Sequence, residues 1–516
     1  MDLFIKIGML IAFFGIMVGV GLYCRKHSTD VNGFVLGGRS VGPWLTAFAY
    51  GTSYFSAVVF VGYAGQFGWK YGIAATWAGI GNALIGSLLA WVVLGRRTRV
   101  MTQHLDSATM PQFFERRFHS KALKLAASAI IFIFLIPYTA SLYNGLSRLF
   151  GMAFDIDYSV CVIVMAVLTG IYVIAGGYMA TAINDFIQGI IMIAGIIAVS
   201  VAVLNTQGGL TAALSELGKI SAPAEGIEAG AFNSFFGPDP VNLLGVVILT
   251  SLGTWGLPQM VQKFYAIKSE QAIKKGTVIS TIFALIVAGG CYFLGGFGRL
   301  FGDKVDVAKE GFDAIIPAML SDLPALLIAV VGILVLSASM STLSSLVLAS
   351  SSTLTLDFIK GTIVKKLNEK KQLLIMRLLI VAFILISVIL ALVQYKSSVT
   401  FIAQLMGVSW GALAGAFLAP FLYSLYWKGV TKPAVWVNFV FSTVSMLANI
   451  MVKDWFPTLL KSPINAGAFC MLAGLIIVPV VSLLTKKPDK ALVDEVFSCY
   501  DRKVEVTAKD SIGNQV

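Results

Sequence analysis

The chain has 516 residues, of which 57% are hydrophobic and 12% charged, and its mean hydropathy is +0.85. Soluble globular proteins of this length do not have such a composition, so the sequence indicates a polytopic membrane protein in a lipid bilayer. The net charge of +12 does not indicate nucleic-acid binding, because the basic residues lie in short loops between apolar segments.

Apolar segments long enough to cross a bilayer recur along the chain, and we predict thirteen spans. They lie at 4–24, 43–67, 72–95, 122–150, 158–178, 184–205, 241–264, 274–298, 319–356, 372–394, 400–425, 432–452 and 465–485. The first segment has neither a clearly basic start nor a small-residue cleavage site, so we interpret it as a span rather than a signal peptide. The expected fold class is an all-α polytopic membrane protein.

Alternate loops are rich in Lys and Arg, whereas the longest loop of the other set, 205–241, carries several acids. By the positive-inside rule the N-terminus lies outside the cell and the C-terminus in the cytoplasm, and an odd number of spans agrees with this orientation. We expect the protein to lie in the plasma membrane and to act as a monomer.

Two predicted spans are interrupted in matching ways, at 49–56 and at 251–259. Glycine and proline at membrane depth free backbone groups, which is tolerated where those groups line a cavity. The first interrupted span opens spans 2–6 and the second opens spans 7–11. Because this repeat has five spans, an odd number, the second copy must be inverted in the membrane. Interrupted spans at matching places of inverted repeats predict a binding site near the midplane. The alternative is that the glycines serve close helix packing.

This organisation predicts four parts. They are a first span with its loop (1–42), an inverted five-helix repeat core with two discontinuous helices (43–425), two accessory spans (426–485) and a polar cytoplasmic tail (486–516).

A run of small hydroxyl residues, SASMSTLSSLVLASSS, occupies 337–352. At helical spacing Ala338, Ser341, Thr342 and Ser345 share one face, with Ser344 beside them. Hydroxyl oxygens and a carbonyl stacked in this way are the hard, neutral ligands that a small alkali cation needs. The alternative is that these hydroxyls bond back to their own helix or pack closely against neighbouring helices.

Charged residues are rare in the predicted spans. Asp185 is the acid best placed to reach the core, where it either caps a helix at its positive end or binds a cation. The three histidines fall in cytoplasmic loops and the five cysteines are scattered singly, so we predict neither a transition-metal site nor a disulfide framework. No acid–base pair or activated nucleophile is visible near the midplane, and we do not expect an enzyme.

The chain resembles the sodium:solute symporters, which include transporters of proline, pantothenate, sialic acid and sugars with the leucine-transporter-type fold. Three motifs carry the resemblance: Gly37-Gly38-Arg39-Ser40 before the second span, Gly176-Gly177 with Asn184-Asp185 and Gln188, and Ser337 to Ser344. The similarity extends over most of the chain.

The resemblance implies two sets of sodium ligands. The first set consists of the carbonyls of Thr52, Phe55 and Ala338 with the hydroxyls of Ser341 and Thr342. The second set, found in some members, corresponds here to Asp185, Ser341, Ser344 and Ser345. The coupling ion is therefore expected to be Na+, with two ions in each cycle.

The resemblance also implies a solute-binding lining, which we expect to consist of Tyr54, Ser56, Tyr138, Trp255 and Gln259. Tyr54 stands where proline-type members carry an Asp, and Tyr138 matches a solute-binding Tyr of those members. Aromatic walls and neutral donors suit a small amino acid or an organic monocarboxylate. For each aromatic residue the alternative is ordinary interhelical packing.

These observations predict sodium-coupled symport of a small organic solute into the cell by alternating access. One alternative is a sodium-independent facilitator or channel, because a hydroxyl-lined path also suits passive flow. Another is a symporter of a sugar or polyol.

Overall fold

The structure is a computed structural model that describes residues 2–154, 156–360, 363–364, 367–397 and 402–500. The predicted start of the eleventh span at 400 and the tail from 501 onwards lie outside these residues.

Within the described residues the chain is almost entirely helical. The α-helices are α1 Asp2–Tyr23, α2 Val31–Leu36, α3 Pro43–Tyr54, α4 Ala64–Tyr71, α5 Thr76–Gly81, α6 Arg96–His104, α7 Met110–Phe118, α8 Lys121–Phe154, α9 Tyr158–Thr206, α10 Leu210–Lys219, α11 Pro240–Gly256, α12 Pro258–Ala266, α13 Glu270–Ala284, α14 Gly290–Gly295, α15 Val307–Glu310, α16 Ile315–Leu320, α17 Ala325–Thr353, α18 Glu369–Ser397, α19 Ile402–Tyr426, α20 Lys432–Met451, α21 Pro463–Leu484 and α22 Lys490–Phe497. Five π-helical segments continue or join them, at Val58–Tyr63, Asn82–Leu89, Trp91–Gly95, Leu285–Gly289 and Leu354–Ile359.

In the described residues, ten helical segments are long and apolar enough to cross a membrane, or eleven if the bent pair α11 and α12 is one span. Two of these segments, Val58–His104 with 47 residues and Tyr158–Thr206 with 49, are far longer than a bilayer is thick. Either would measure about 70 Å as an ideal helix, more than twice the roughly 30 Å of the hydrocarbon core.

Both long segments contain a glycine at which the helical backbone is broken. Gly72 has φ 60° and ψ −142°, and Gly177 has φ 54° and ψ −143°. These angles lie in a region that side-chain-bearing residues rarely adopt, and they take the chain out of the helical path. Each long segment therefore consists of two helices joined at a glycine.

The structure confirms both predicted interruptions. Helix α3 ends at Tyr54, and Phe55 is extended with φ −81° and ψ 115°. Helix α11 ends at Gly256, Leu257 is extended, and α12 begins at Pro258 with its axis turned by 46°. Proline lacks an amide proton and restricts the residue before it, which explains why the second break falls at Leu257.

Helix α17 lies at the centre of the molecule and packs along α8, α9 and α3. It is buried from Val331 to Thr353 without interruption, so this part of the helix has no face exposed to lipid. The hydroxyl-rich tract therefore lies in the protein interior.

The cytoplasmic side of the core, in the predicted orientation, is held together around Arg39. Its guanidinium donates to the carbonyl oxygens of Tyr265 at 3.3 Å and Ser107 at 2.7 Å, which joins the loop before α3 to α12 and to the segment after α6. Beside it the Val41 amide donates to the Ala266 carbonyl at 3.2 Å, and the Lys268 amide donates to Val41 at 3.0 Å.

We expect Arg39→Ala to weaken the contacts that join the loop before α3 to α12 and to the segment after α6. Removing a charged donor from two carbonyls costs about 1–3 kcal/mol, so hydrogen–deuterium exchange at the amides of Val41 and Lys268 should become roughly tenfold faster or more. Arg96→Ala is a suitable control, because Arg96 pairs with Glu270 at the surface with both side chains 48% exposed and such pairs contribute little. Unchanged exchange in Arg39→Ala would show that the backbone contacts suffice without the guanidinium.

Candidate functional site

The first predicted set of ligands comes together where α17 crosses the break after α3. The Ser341 hydroxyl lies 3.2 Å from the Thr52 carbonyl oxygen and 3.0 Å from that of Ala338. The Thr342 hydroxyl lies 3.1 Å from Thr52, 3.3 Å from Phe55 and 3.1 Å from Ala338. All five residues are fully buried, so the structure brings the whole set into one cluster.

The break in α3 explains why carbonyl oxygens are available there. The last carbonyls of a helix have no partner within it, and the chain does not resume helical hydrogen bonding until after Ser56. The carbonyls of Thr52 and Phe55 are therefore free to point at α17.

This cluster contains more acceptors than donors. Two hydroxyl groups supply one proton each, so they cannot satisfy three carbonyl oxygens, each with two lone pairs, and also each other. Oxygen–oxygen separations of 3.0–3.3 Å suit ligands that surround a hard cation at about 2.3–2.6 Å. Carbonyl and hydroxyl oxygens that converge in a buried, uncharged cluster are the hard ligands that a small monovalent cation prefers, so these residues can hold one.

The two interpretations of the hydroxyl tract apply to different parts of it. Ser341 and Thr342 reach across to α3, as cation binding requires. Ser352 donates to the carbonyls of Leu348 at 2.7 Å and Ala349 at 3.1 Å, and Ser351 donates to Leu348 at 3.2 Å. These later hydroxyls are satisfied by their own helix, as the packing alternative predicts.

The second predicted set is only partly assembled. Ser344 donates to the Ser341 carbonyl at 2.8 Å, and the Ser345 hydroxyl lies 2.9 Å from that of Ser53. Asp185 is fully buried, but among the described residues neither of its carboxylate oxygens accepts a hydrogen bond.

Lys263 of α12 lies between members of this second set. Its ammonium donates to the Ser345 hydroxyl at 3.1 Å and is 3.9 Å from Oδ2 of Asp185. The two charged side chains are only 3% and 0% exposed. Our sequence reasoning missed Lys263, although a lone lysine inside the predicted span 241–264 is itself a signal of a functional or paired charge.

A second buried acid, Asp357, lies away from these clusters. It accepts a hydrogen bond from Thr109 at 2.7 Å, and Thr109 caps the N-terminus of α7. Asp357 therefore anchors the end of the ninth predicted span to α7.

Four of the five predicted lining residues have buried polar groups without a partner. In the described part of the chain, the hydroxyls of Tyr54, Ser56 and Tyr138 and both side-chain amide atoms of Gln259 make no well-formed hydrogen bond, although the Tyr138 hydroxyl lies close to Ser56 and to the Trp410 indole. All four residues are at most 2% exposed. Comparable unpartnered groups occur elsewhere in the described interior, for example at Tyr63 and Tyr292, so these four residues offer polar contacts to a bound molecule but do not define a site by themselves.

Trp255 differs from the other four. Its indole nitrogen donates to the Ile85 carbonyl at 2.9 Å, which joins α11 to the adjacent π-helical segment. The polar atom of this side chain is therefore already used, as the packing alternative predicts.

Trp410 is an aromatic neighbour that our sequence reasoning did not identify. Its ring contacts that of Tyr138 edge to face, with centroids 6.0 Å apart, and its buried indole nitrogen has no partner among the described residues. It lies in the predicted span 400–425, where a single tryptophan gives no signal that separates lining from packing.

A cavity of about 590 Å³ lies at the face of the molecule that carries the 205–241 loop. Charged and amide side chains line it, including Lys70, Asp239 and Asn242. None of the predicted ligand or lining residues contributes to it, so it is separate from the clusters described above.

Comparisons with known proteins show which family the chain resembles. A family model described as the Sodium:solute symporter family matches residues 34–439. The chain is 29% identical over 485 residues to the osmoregulated proline transporter OpuE of Bacillus subtilis, and the match covers 93% of this chain and 94% of that protein. It is 30% identical over 505 residues to a sodium/proline symporter of Staphylococcus aureus, with 93% of each chain covered.

A solved structure has the same fold. A Na+-coupled sialic acid symporter in a substrate-bound, outward-open state superimposes with a TM-score of 0.75 at 16% sequence identity, covering 94% of this chain and 99% of that chain.

Proposed function

The chain belongs to the sodium:solute symporter family, and we propose that it couples the entry of Na+ to the uptake of a small organic solute by alternating access. The observation that carries this proposal is the cluster of five buried oxygens between α3 and α17. A surplus of neutral acceptors selects a hard cation over a polar solute at this position.

The first ion is proposed to bind the carbonyls of Thr52, Phe55 and Ala338 with the hydroxyls of Ser341 and Thr342. The cluster joins the broken α3 to the continuous α17, so an ion there favours one arrangement of the two elements over others. A ligand that binds one state more tightly shifts the population towards it, which is how the ion would be coupled to solute binding.

The solute is proposed to contact Tyr54, Ser56, Tyr138 and Gln259. These neutral donors and acceptors, with the aromatic rings beside them, suit a small amino acid or an organic monocarboxylate. Proline is the first compound to test because the relatives named above are proline transporters. Tyr54 replaces the Asp that proline-type members carry, which favours a solute other than proline. Uptake measurements with proline and with other compounds distinguish the two possibilities.

We further propose thirteen spans, with the second five-helix repeat inverted relative to the first as in the leucine-transporter-type fold. The glycine breaks at Gly72 and Gly177 divide the two long segments, and the bent pair α11 and α12 adds one span. The loop charges favour a cytoplasmic C-terminus, and with it we propose the four-part organisation and a monomer in the plasma membrane.

Uptake into proteoliposomes tests the proposed function. Labelled proline, other amino acids, pantothenate, short monocarboxylates and sugars are offered with either Na+ or K+ outside. Uptake of one compound class only with Na+ outside supports symport and identifies the solute class. Equal uptake with K+ would contradict sodium coupling and favour the facilitator.

We expect Tyr138→Phe to weaken binding of the transported solute about tenfold without changing sodium binding. The substitution keeps the ring packed on Trp410 and removes only the unpartnered hydroxyl, and a hydrogen bond to a charged ligand contributes about 1.5–3 kcal/mol. Trp255→Phe provides the contrast, because the indole already bonds to Ile85; here thermal stability should fall while solute affinity changes less than threefold. Equal loss of solute affinity in both variants would overturn this division of roles. Solute affinity and thermal stability are both measured on purified protein.

A further inference from the structure

The residues that follow the last span return to the core and dock on it. Residues 489–500 form α22, whose first turn is capped by Asp489, and then a 3₁₀ turn, Ser498–Tyr500. The buried side chains of this segment are those of Val493, Val496, Phe497 and Cys499. Because its apolar face is covered, the segment is part of the folded structure, and we call residues 489–500 the strap.

Arg97 of α6 lies between an aromatic ring of the strap and one of α19. Its guanidinium carbon is 4.5 Å from the ring centroid of Tyr500 and 4.1 Å from that of Tyr426. The guanidinium also donates to the Leu425 carbonyl at 3.0 Å, and the Tyr500 hydroxyl donates to the Arg97 carbonyl at 3.2 Å. Aromatic faces attract a guanidinium at such distances, so this one residue joins α6, the end of α19 and the strap.

Arg117 of α7 makes a second, buried junction. Its side chain is 0% exposed, and it donates to the carbonyls of Ser424 at 3.3 Å and Trp427 at 3.4 Å, at the end of α19. The Phe497 ring of the strap lies 5.1 Å from its guanidinium carbon. A buried charge needs hydrogen-bond partners, and the end of α19 supplies them while the strap covers the junction.

The strap connects two parts of the core on the cytoplasmic side of the predicted orientation. Arg99 of α6 donates to the carbonyl of Ile267, directly after α12, at 2.6 Å, which attaches α6 to the half-helix that follows the second break. Helix α19 carries Trp410, the aromatic neighbour of Tyr138. The strap therefore fastens α6, and through it the broken seventh span, to α19.

We propose that the strap is a built-in restraint on the cytoplasmic side, and that it detaches from α6 and the end of α19 when that side opens. This inference rests on the proposed function, because it assumes alternating access. Opening a path on one side moves helices relative to one another, and a contact present in one state alone shifts the population towards that state. The strength of the strap then sets how often the cytoplasmic side opens.

Tyr500→Ala tests whether the strap holds this side closed. It removes an aromatic face from Arg97 and a hydrogen bond to its carbonyl, which together correspond to about a tenfold change in an equilibrium. The amides of Val41 and Lys268 lie outside the strap and bridge the loop before α3 and the end of α12. We expect hydrogen–deuterium exchange at these two amides to become about tenfold faster, in purified protein without sodium or solute.

Ser498→Ala is the matched control within the strap. Its hydroxyl donates to the Glu495 carbonyl of the same segment at 2.7 Å, so exchange outside the strap should not change. If Tyr500→Ala does not fold, Tyr500→Phe keeps the ring and loses the hydrogen bond, and it should accelerate exchange about threefold. Unchanged exchange at Val41 and Lys268 in the Tyr500 variant would overturn the inference.

Fixing the strap is the converse test. Nε2 of His104 in α6 lies 3.0 Å from the Glu495 carbonyl oxygen, so His104→Cys with Glu495→Cys brings two thiols near each other for a short bifunctional thiosulfonate. The five native cysteines are buried and should react slowly. We expect cross-linked protein in proteoliposomes to take up solute roughly tenfold more slowly or less, and a reductant to restore the rate. His104→Cys alone, treated in the same way, is the control.

The outcomes separate this inference from the proposed function. Normal uptake by the cross-linked protein would show that the strap does not need to detach, and would overturn the inference while leaving symport intact. The exchange experiment contains neither sodium nor solute, so it decides on the strap even if uptake proves independent of sodium. That last result would overturn sodium coupling alone.

Discussion

Thr342→Ala is expected to weaken sodium binding by about 10- to 100-fold. The Thr342 hydroxyl lies within 3.3 Å of three carbonyl oxygens, those of Thr52, Phe55 and Ala338. Its removal takes away one ligand of the proposed ion and leaves the carbonyls without a donor when the ion is absent. A lost buried polar partner costs about 1–3 kcal/mol, which corresponds to the expected range of affinity.

The measurement is the sodium concentration that half-saturates solute uptake, or the sodium-dependent rise in thermal stability of the purified protein. Thr342→Ser should restore most of the affinity because it keeps the hydroxyl. Ser352→Ala is the matched control on the same helix, since among the described residues its hydroxyl bonds to carbonyls of α17, and it should change sodium affinity less than twofold. Normal sodium affinity in Thr342→Ala would show that the ion does not bind in this cluster.

Gly177→Ala is expected to destabilise the protein by about 3 kcal/mol or more, or to prevent its folding. An alanine at φ 54° and ψ −143° would be held in a strained backbone conformation, at a cost of about 1–3 kcal/mol. Its Cβ would also lie 2.7 Å from the Phe34 carbonyl oxygen and 2.8 Å from the Phe34 ring, and such overpacking costs a further 1–3 kcal/mol or so.

Thermal unfolding in detergent measures this effect, and Gly209→Ala separates its two causes. Gly209 also has a positive φ, of 91°, but a Cβ there would meet no atom within 4 Å. Gly209→Ala should therefore lose less stability than Gly177→Ala, because it introduces only the backbone strain. If Gly177→Ala were as stable as Gly209→Ala, the close contact with Phe34 would contribute nothing.

Patterns within a single segment allowed the first cluster to be predicted. Helical spacing placed Ser341 and Thr342 on one face of α17, and glycine and proline marked the two breaks. The resemblance to the family supplied the partners Thr52 and Phe55, because spacing within one helix carries no information about which carbonyls it faces.

Other features depend on how separate elements pack together. The pairing of Lys263 with Asp185 depends on the register between α12 and α9, two elements about 80 residues apart in sequence, and hydropathy does not encode that register. The unpartnered hydroxyl of Tyr138 and the satisfied indole of Trp255 both belong to aromatic residues in apolar spans. Only the three-dimensional contacts distinguish a residue that can contact a solute from one that holds two helices together.

Under the proposed symport, the number of ions that enter with each solute molecule sets a limit on how far a cell could concentrate the solute. At a membrane potential of about 100 mV and a tenfold sodium gradient, one entering ion releases about 2.3 kcal/mol from the potential and about 1.4 kcal/mol from the gradient. One ion per cycle therefore sustains a ratio of inside to outside solute of a few hundred, whereas two would sustain about 10⁵. If the cluster between α3 and α17 alone holds an ion, the protein would suit a solute that is already plentiful outside the cell, and it would take up each molecule for half the sodium that two coupled ions would require.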